Sequence, residues 1–304
     1  MLRLLAGVLA LCAALAATVV AQAADPVLTP QWNLTTGFAA PESAYYDATS
    51  GAVFVSSING QILEKDGNGY ISKLTPAGAV VSEKWATGLN APKGLRSARG
   101  VLYVSDIDEV VGFDIASGKL ASRLKVDGAQ FLNDLATAAD GTVYVSDSAA
   151  LKIFEVRNGK ASVFVEGADV VEQPNGLLVD GSRLILGTIG PAPQPGAAGR
   201  GRGAAPPSGH LYAFDLKSKQ RTLITSQPVG GIDGIEPDGS GGLVVTDVIG
   251  QRLLRVSRAG EVTVLAKFTA GGADFGYVAA RKLAIVPFLF SNSVAAYDLT
   301  TALK

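Results

Sequence analysis

The chain has 304 residues, 48% hydrophobic and 17% charged, with 26 basic side chains against 27 acidic. Without a basic stripe or long charge run, that balance leaves no footprint for nucleic acid or an acidic membrane surface. The single cysteine, Cys12, excludes a disulfide framework, and 36 glycines suit a turn-rich β protein.

The N-terminus reads as a targeting segment. Arg3 precedes an apolar run from Leu4 to Val20, and Ala21-Gln22-Ala23 supplies a small-x-small cleavage site. This predicts a signal peptide over 1–23 and a periplasmic or secreted mature chain with no membrane association. An uncleaved anchor fits less well, because the run is short for a span and no basic cluster follows it. Leu11 stands where a lipoprotein site at Cys12 would need a small residue. The remaining residues suffice for one large β domain over 24–304.

Gln31–Phe38 alternates as a strand would. A recurring unit follows: a polar residue, a short apolar run, a turn signal, and a second apolar run. It begins at Pro41-Glu42, Pro92-Lys93-Gly94, Leu132-Asn133-Asp134, Gln173-Pro174-Asn175-Gly176, Ile232-Asp233-Gly234 and, in worn form, Ala273-Asp274-Phe275. The leading residues Glu42, Lys93, Asn133, Asn175, Asp233 and Asp274 are spaced by 51, 40, 42, 58 and 41. A Pro/Gly/Ala-rich insertion at 191–208 accounts for the longest interval. Six units near 40 residues predict an all-β, six-bladed β-propeller. In the third unit the strands are expected at Leu135–Ala138, Thr142–Asp147, Leu151–Val156 and Ala161–Glu166. Gln31–Phe38 should close the ring against the Val294–Leu299 region.

The leading residue of each unit begins the innermost strand on one face of the disc, here called the mouth. Loops between second and third strands return to that face. Two are long: Ile58–Gly69 and the insertion at 191–208, which reads either as a lid over the channel or as a solvated loop.

Six leading residues then converge on one axis. Glu42, Asn133, Asn175 and Asp233 offer carboxylate and amide oxygens, a set suited to a hard divalent cation. Calcium is expected first, with magnesium, manganese or zinc as alternatives. Asn-Gly and Asp-Gly are also turn dipeptides, but separate turn signals at Asp47, Asp140, Asp180 and Asp238 already fill that role. Lys93 cannot ligate metal and is expected to pair with Glu42 or Asp274, or to hold substrate. The ends of the second strands give another ring, Ser57, Asp106, Asp147, Thr188, Asp247 and Phe288, whose aspartates would commonly bond neighbouring loops. His210, the only histidine, begins a strand after the insertion and reads as solvent-facing more readily than as a base. No serine-nucleophile, phosphate-loop or dinucleotide motif is present.

PESAYYD, FLNDLATAADGTVYVSD, QPNGLLVD and GIDGIEPDGSGGLVVTD, in order at blade spacing, resemble the senescence-marker-protein/gluconolactonase family, the regucalcin-like six-bladed propellers. The likeness spans most of 41–298. It implies a divalent metal on the axis and lactone hydrolysis, with Glu42, Asn175 and Asp233 as metal ligands. Asn133 would contact substrate or ligate the metal. Family members carry arginine two residues before this asparagine; here Phe131 stands there, which points away from sugar lactones toward a less polar substrate.

The expected function is thus an exported, metal-dependent hydrolase of lactones or related esters. The cation would polarise the carbonyl and bind the attacking water, and Asp233 or Asp247 would assist proton transfer. The alternative is a non-catalytic propeller that binds a small ligand or a protein partner on the loop face. Oligomeric state is not legible in the sequence.

Overall fold

The computed structural model describes residues 26–191 and 208–303. The expected signal peptide and nearly all of the insertion, including Arg200 and Arg202, lie outside them. The described chain forms six antiparallel four-stranded sheets set as the blades of a β-propeller. In five blades strand order follows the sequence from the inner strand on the axis to the outer edge; in the sixth the outer strand is the N-terminal Trp32–Leu34. The inner strands are Pro41–Asp47, Pro92–Ala98, Leu132–Thr137, Pro174–Asp180, Ile232–Pro237 and Gly276–Val278. The only α-helix among the described residues is the four-residue turn Ala168–Val171.

Ring closure occurs where the sequence placed it. Trp32, Asn33 and Leu34 pair with Ala296, Ala295 and Val294, so the N-terminal strand completes the sixth blade. Only Trp32–Leu34 pairs; the chain then bends through Gly37, whose φ of 85° suits a residue without Cβ. In the third blade the strands are Leu132–Thr137, Val143–Asp147, Lys152–Arg157 and Lys160–Glu166, close to the expected four. The inner strand starts earlier because its leading residues join the ladder.

Core packing runs between blades. Phe54, Leu95 and Val104 pack across the first seam; Tyr144, Leu177 and Leu186 across the third; Val53, Ile285 and Ala296 across the last. Inner strands are therefore buried on both faces, and Ala52–Ser57 has no exposed residue. Edge strands such as Leu120–Lys125 are mostly exposed. Two-sided burial also explains why simple alternation is weak in the inner strands. The predicted turns lie on the face opposite the mouth. There Asp47 Oδ2 accepts from Ser50 N at 2.8 Å, and Asp140 Oδ1 accepts from Thr142 N at 3.0 Å.

Candidate functional site

A β-bulge opens each of the first five inner strands. In the first blade Pro41 pairs with Ser57 and Ala44 with Val55, leaving Glu42 and Ser43 together opposite Ser56. The same shift places Lys93-Gly94, Asn133-Asp134, Asn175-Gly176 and Asp233-Gly234 in bulges. A bulge bends the strand and re-aims its side chains. Its displaced N–H is caught by a hydroxyl from the second strand: Ser43 N donates to Ser56 Oγ at 3.0 Å, Asp134 N to Ser146 Oγ at 3.0 Å, and Gly234 N to Thr246 Oγ1 at 2.8 Å.

The glycines after Asn175 and Asp233 serve this arrangement rather than a turn. A Cβ at 176 would fall 1.9 Å from the carbonyl oxygen of Asp233. One at 234 would lie 2.7 Å from Phe275 N. Neighbouring inner strands thus approach through backbone, which brings their leading residues together.

Glu42, Asn133, Asn175 and Asp233 are all buried. Asn175 Nδ2 donates to Asp233 Oδ1 at 3.2 Å, while Asn175 Oδ1 and Glu42 Oε2 have no hydrogen-bond partner. Asn133 Nδ2 donates to Ser148 Oγ at 3.2 Å, and Ser148 Oγ in turn donates to the Pro174 carbonyl. Burial, followed by the charge of Asp233, pushes the Glu42 carboxyl well above the usual range. Burial and then Asp274 push Asp233 up to about 8. Carboxylates this close oppose ionisation unless a cation enters. With Asp274 Oδ1, also unpartnered, three buried oxygens of the leading residues stand free among mutually repelling carboxylates, a donor set that could accept a cation. Among the described residues no three His, Cys, Asp or Glu side chains converge as a metal-holding group; the candidate set depends on its two amides.

Lys93 does not pair with Glu42 or Asp274. Its Nζ donates to the carbonyls of Ala91 at 2.8 Å and Ile62 at 3.1 Å, and lies 4.7 Å from the Phe131 ring centroid. Burial lowers its pKa, opposed by the charges of Glu42 and then Asp106. Lys93 thus tethers the 58–69 loop through the Ile62 carbonyl, with Phe131 beside it.

A deeper layer was not anticipated from the sequence. Buried Arg96 bonds Asp274 Oδ2 at 3.3 Å and lies 3.6 Å from Glu236 Oε1 and 4.0 Å from Asp134 Oδ2. It joins four blades. Asp274 Oδ2 also accepts from Ser43 Oγ at 2.5 Å. Burial raises Glu236 to about 7, against the pull of Arg96. Asp274 therefore belongs with Arg96 as much as with the mouth. Glu42, Asp134, Asp233, Glu236 and Asp274 outnumber Lys93 and Arg96 along the axis, which leaves the channel negative when ionised.

The second ring is structural. Asp106 accepts from Asn90 N at 2.9 Å and Ala91 N at 2.8 Å, and Asp147 from Gln130 N at 2.7 Å. Asp247 accepts from Gly231 N and Gly250 N and pairs with Arg252 at 2.5 Å. Its oxygens are spent on the loop entering the fifth blade, so the proton-transfer role expected of Asp247 is withdrawn. Nor does His210 simply face solvent. Its Nδ1 lies 2.8 Å from Glu172 Oε1, which also accepts from Tyr212 Oη at 2.7 Å, while Thr188 Oγ1 donates to Oε2 at 2.5 Å. Glu172 precedes the fourth inner strand, and nothing in its sequence context marked it.

No family model matches the chain, and no curated protein matches it in sequence. Solved structures do. A gluconolactonase from Xanthomonas campestris superposes with a TM-score of 0.62 at 15% identity, over 91% of this chain and 95% of that one. Nidogen in its complex with laminin gives 0.58 at 14%, over 86% and 89%. A catalytically inactive virginiamycin B lyase from Staphylococcus aureus, solved with quinupristin, gives 0.56 at 13%, over 88% and 97%. At such identities the likeness establishes the propeller fold and no more.

Proposed function

We propose that this chain is a divalent-cation-dependent hydrolase of lactones or related esters, exported to the periplasm or medium. One observation carries the reading: Glu42 Oε2 and Asn175 Oδ1 are buried without partners beside Asp233, in a channel with excess negative charge. Glu42, Asn175 and Asp233 would hold the cation, with Asn133 beside them. Oxygen-only donors favour calcium first, then magnesium or manganese, with zinc also admissible. When bound, such a cation polarises a carbonyl and acidifies water.

The chain's own residues supply the rest. Asp233 is the carboxylate we assign to proton acceptance, since Asp247 is occupied by its loop. Phe131 and the Ile62 segment wall the mouth and would exclude water around an apolar acyl portion. Lys93 fixes that wall through the Ile62 carbonyl. The fold shared with a gluconolactonase supports the reaction class, although a lyase shares it too. Nidogen's presence in a laminin complex supports the rival reading, a propeller that binds a partner. The buried orphan oxygens favour the hydrolase, because a partner-binding face has no use for them. Export rests on the Leu4–Val20 run and Ala21-Gln22-Ala23, and intact-mass analysis of exported protein tests it.

The functional test combines calorimetric titration with calcium, manganese and zinc and rates on a lactone panel, with chelator and with cation restored. Asn175→Ala and Asp233→Ala should each weaken cation binding strongly in a folded protein. Wild-type affinity in both variants rejects the site, and chelator-resistant hydrolysis rejects the cation's role. No turnover of any lactone or ester by cation-loaded protein leaves the partner-binding reading standing.

A further inference from the structure

The exposed large apolar side chains are not spread evenly. Val80, Val81, Leu120, Val163, Leu223 and Val262 lie on the outer edge strands, and Val27 precedes the ring-closing strand. The other four, Ile62, Leu63, Ile249 and Phe290, sit on loops joining second to third strands. All four therefore stand on the mouth face, and no turn on the opposite face carries one among the described residues. Phe290 is 86% exposed, Leu63 53% and Ile62 50%. Scattered apolar residues are ordinary on a protein surface; confinement of the loop-borne ones to one face, that of the candidate site, is not.

These side chains have a built foundation. Ile58, Ala91 and Ile107 form a small buried cluster on the mouth side of the disc, and Leu289 packs against it. Asn292 Oδ1 accepts from Ala40 N at 2.7 Å, and Ile58 N donates to the Ala40 carbonyl at 3.1 Å, locking the sixth-blade loop to the first-blade loop. Phe290 is thereby held next to Leu289 above this floor. At the other end Lys93 Nζ bridges the Ile62 carbonyl and the Phe131 ring. The first-blade loop that carries Ile62 and Leu63 is thus tied at Ile58 to the loop that carries Phe290, and at Ile62, through Lys93, to Phe131. Elsewhere on the mouth face lie the Lys152–Glu166 ion pair of the third blade and the Glu172–His210–Tyr212 cluster of the fourth, with Ile249 alone on the fifth.

We infer that Phe131, Ile62, Leu63 and Phe290 form a strip that binds the hydrocarbon chain of the substrate, whose carbonyl end reaches the axial oxygens. The inference rests on the lactone or ester reading and names its substrate class: a lactone or ester with an alkyl or acyl chain of several carbons. Continuity with the site selects this occupant. The strip begins at Phe131 and Ile62, both in contact with Lys93, whose charge is felt by Glu42. The Lys65–Asp108 ion pair places charge beside Leu63 on the same face, which favours a chain lying among these side chains over a broad apolar partner.

The test uses five-membered lactones with no chain, a four-carbon chain and an eight-carbon chain. Affinity is read by calorimetry in chelator, and kcat/KM with calcium restored. Wild type should bind up to about fourfold more tightly per added methylene, the ratio given by roughly 0.8 kcal/mol per buried CH2. The double variant Leu63→Ser, Phe290→Ser should flatten that dependence. Leu120→Ser, an equally exposed edge-strand change, should leave it intact. Chain-length-dependent binding lost in the double variant sustains the strip even if no lactone is hydrolysed, and then only the hydrolase reading fails. Equal affinity for chainless and eight-carbon lactones overturns the strip, as does an undiminished slope in the double variant or an equal loss in Leu120→Ser.

Discussion

Replacing Asp233 with asparagine should stabilise the cation-free protein while weakening its grip on a cation. The carboxyl is displaced from 3.8 to about 8 by burial and by Asp274. The folded state therefore binds this proton more tightly than the unfolded chain does. The stability linked to it is fully present below the unfolded pKa, near 4, and drains away as pH rises toward 8. At about 1.4 kcal/mol per tenfold change in proton affinity, keeping Asp233 protonated at pH 7, where the unfolded chain would ionise it, costs up to roughly 4 kcal/mol. Glu42 and Asp274 share the protons of the cluster, so the expected gain in Asp233→Asn is about 2–4 kcal/mol. That corresponds to roughly 5–10 °C in Tm for a domain of this size. Asparagine can still accept from Asn175 Nδ2, so the packing is kept. Thermal unfolding in chelator from pH 4 to 8 is the assay: the curves should meet near pH 4 and separate as pH rises. Calcium should narrow the difference and, at a thousandfold excess over Kd or more, reverse the order, since it then adds at least about 4.1 kcal/mol to wild type. A pH-independent difference, or a variant that melts below wild type at pH 8 in chelator, would refute the reasoning.

Arg96→Met should cost about 3–5 kcal/mol at neutral pH, because Asp134, Glu236 and Asp274 lose their buried counter-charge. Urea unfolding measures it, and the loss should shrink toward pH 4 as those carboxylates protonate. Gly176→Ala should destabilise by roughly 3–5 kcal/mol and abolish tight cation binding, since its Cβ cannot share space with the Asp233 carbonyl; calorimetry reads both. Trp32→Ala removes the Trp32 Nε1 bond to the Pro76 carbonyl and the indole covering Gly78. It should cost about 2–3 kcal/mol, less than a fully buried tryptophan, and speed amide exchange in Ser293–Asp298.

The propeller was legible because each blade repeats one pattern, and the repeat survives the 58-residue interval once the insertion is removed. Ring closure was legible too, since an orphan strand at one end needs a partner at the other. Two-sided burial hid the alternation within strands, so boundaries drifted by a few residues. The leading residues stood out because polar side chains at the mouth of an apolar run are costly unless used. Asp247 misled, since a strand-end carboxylate that holds loop amides looks the same in sequence as one that faces a substrate. Glu172 was invisible: its partners His210, Tyr212 and Thr188 come together only through pairing between blade strands.

Arg96 and Glu236 were missed for a reason that also explains how the site is built. Strict alternation puts the residue three places after each leading residue on the opposite face. The bulge spends two residues against one, so Glu42, Ser43 and Tyr45 share a side. By the same register Lys93 shares its side with Arg96, and Asp233 with Glu236. A repeated polar residue three after the leader, at Arg96 and Glu236, was therefore the available signal. Without the bulge these groups would point into the seam toward the preceding blade, where apolar clusters leave no room for charge. With it, one side of each inner strand delivers two layers to the channel: oxygens at the mouth, and an arginine-held carboxylate cluster below. The lower layer positions Asp274 through Arg96 and Ser43, and Asp274 is the charge that most raises Asp233. After burial, the charge that tunes Asp233 is thus held in place from one layer beneath it.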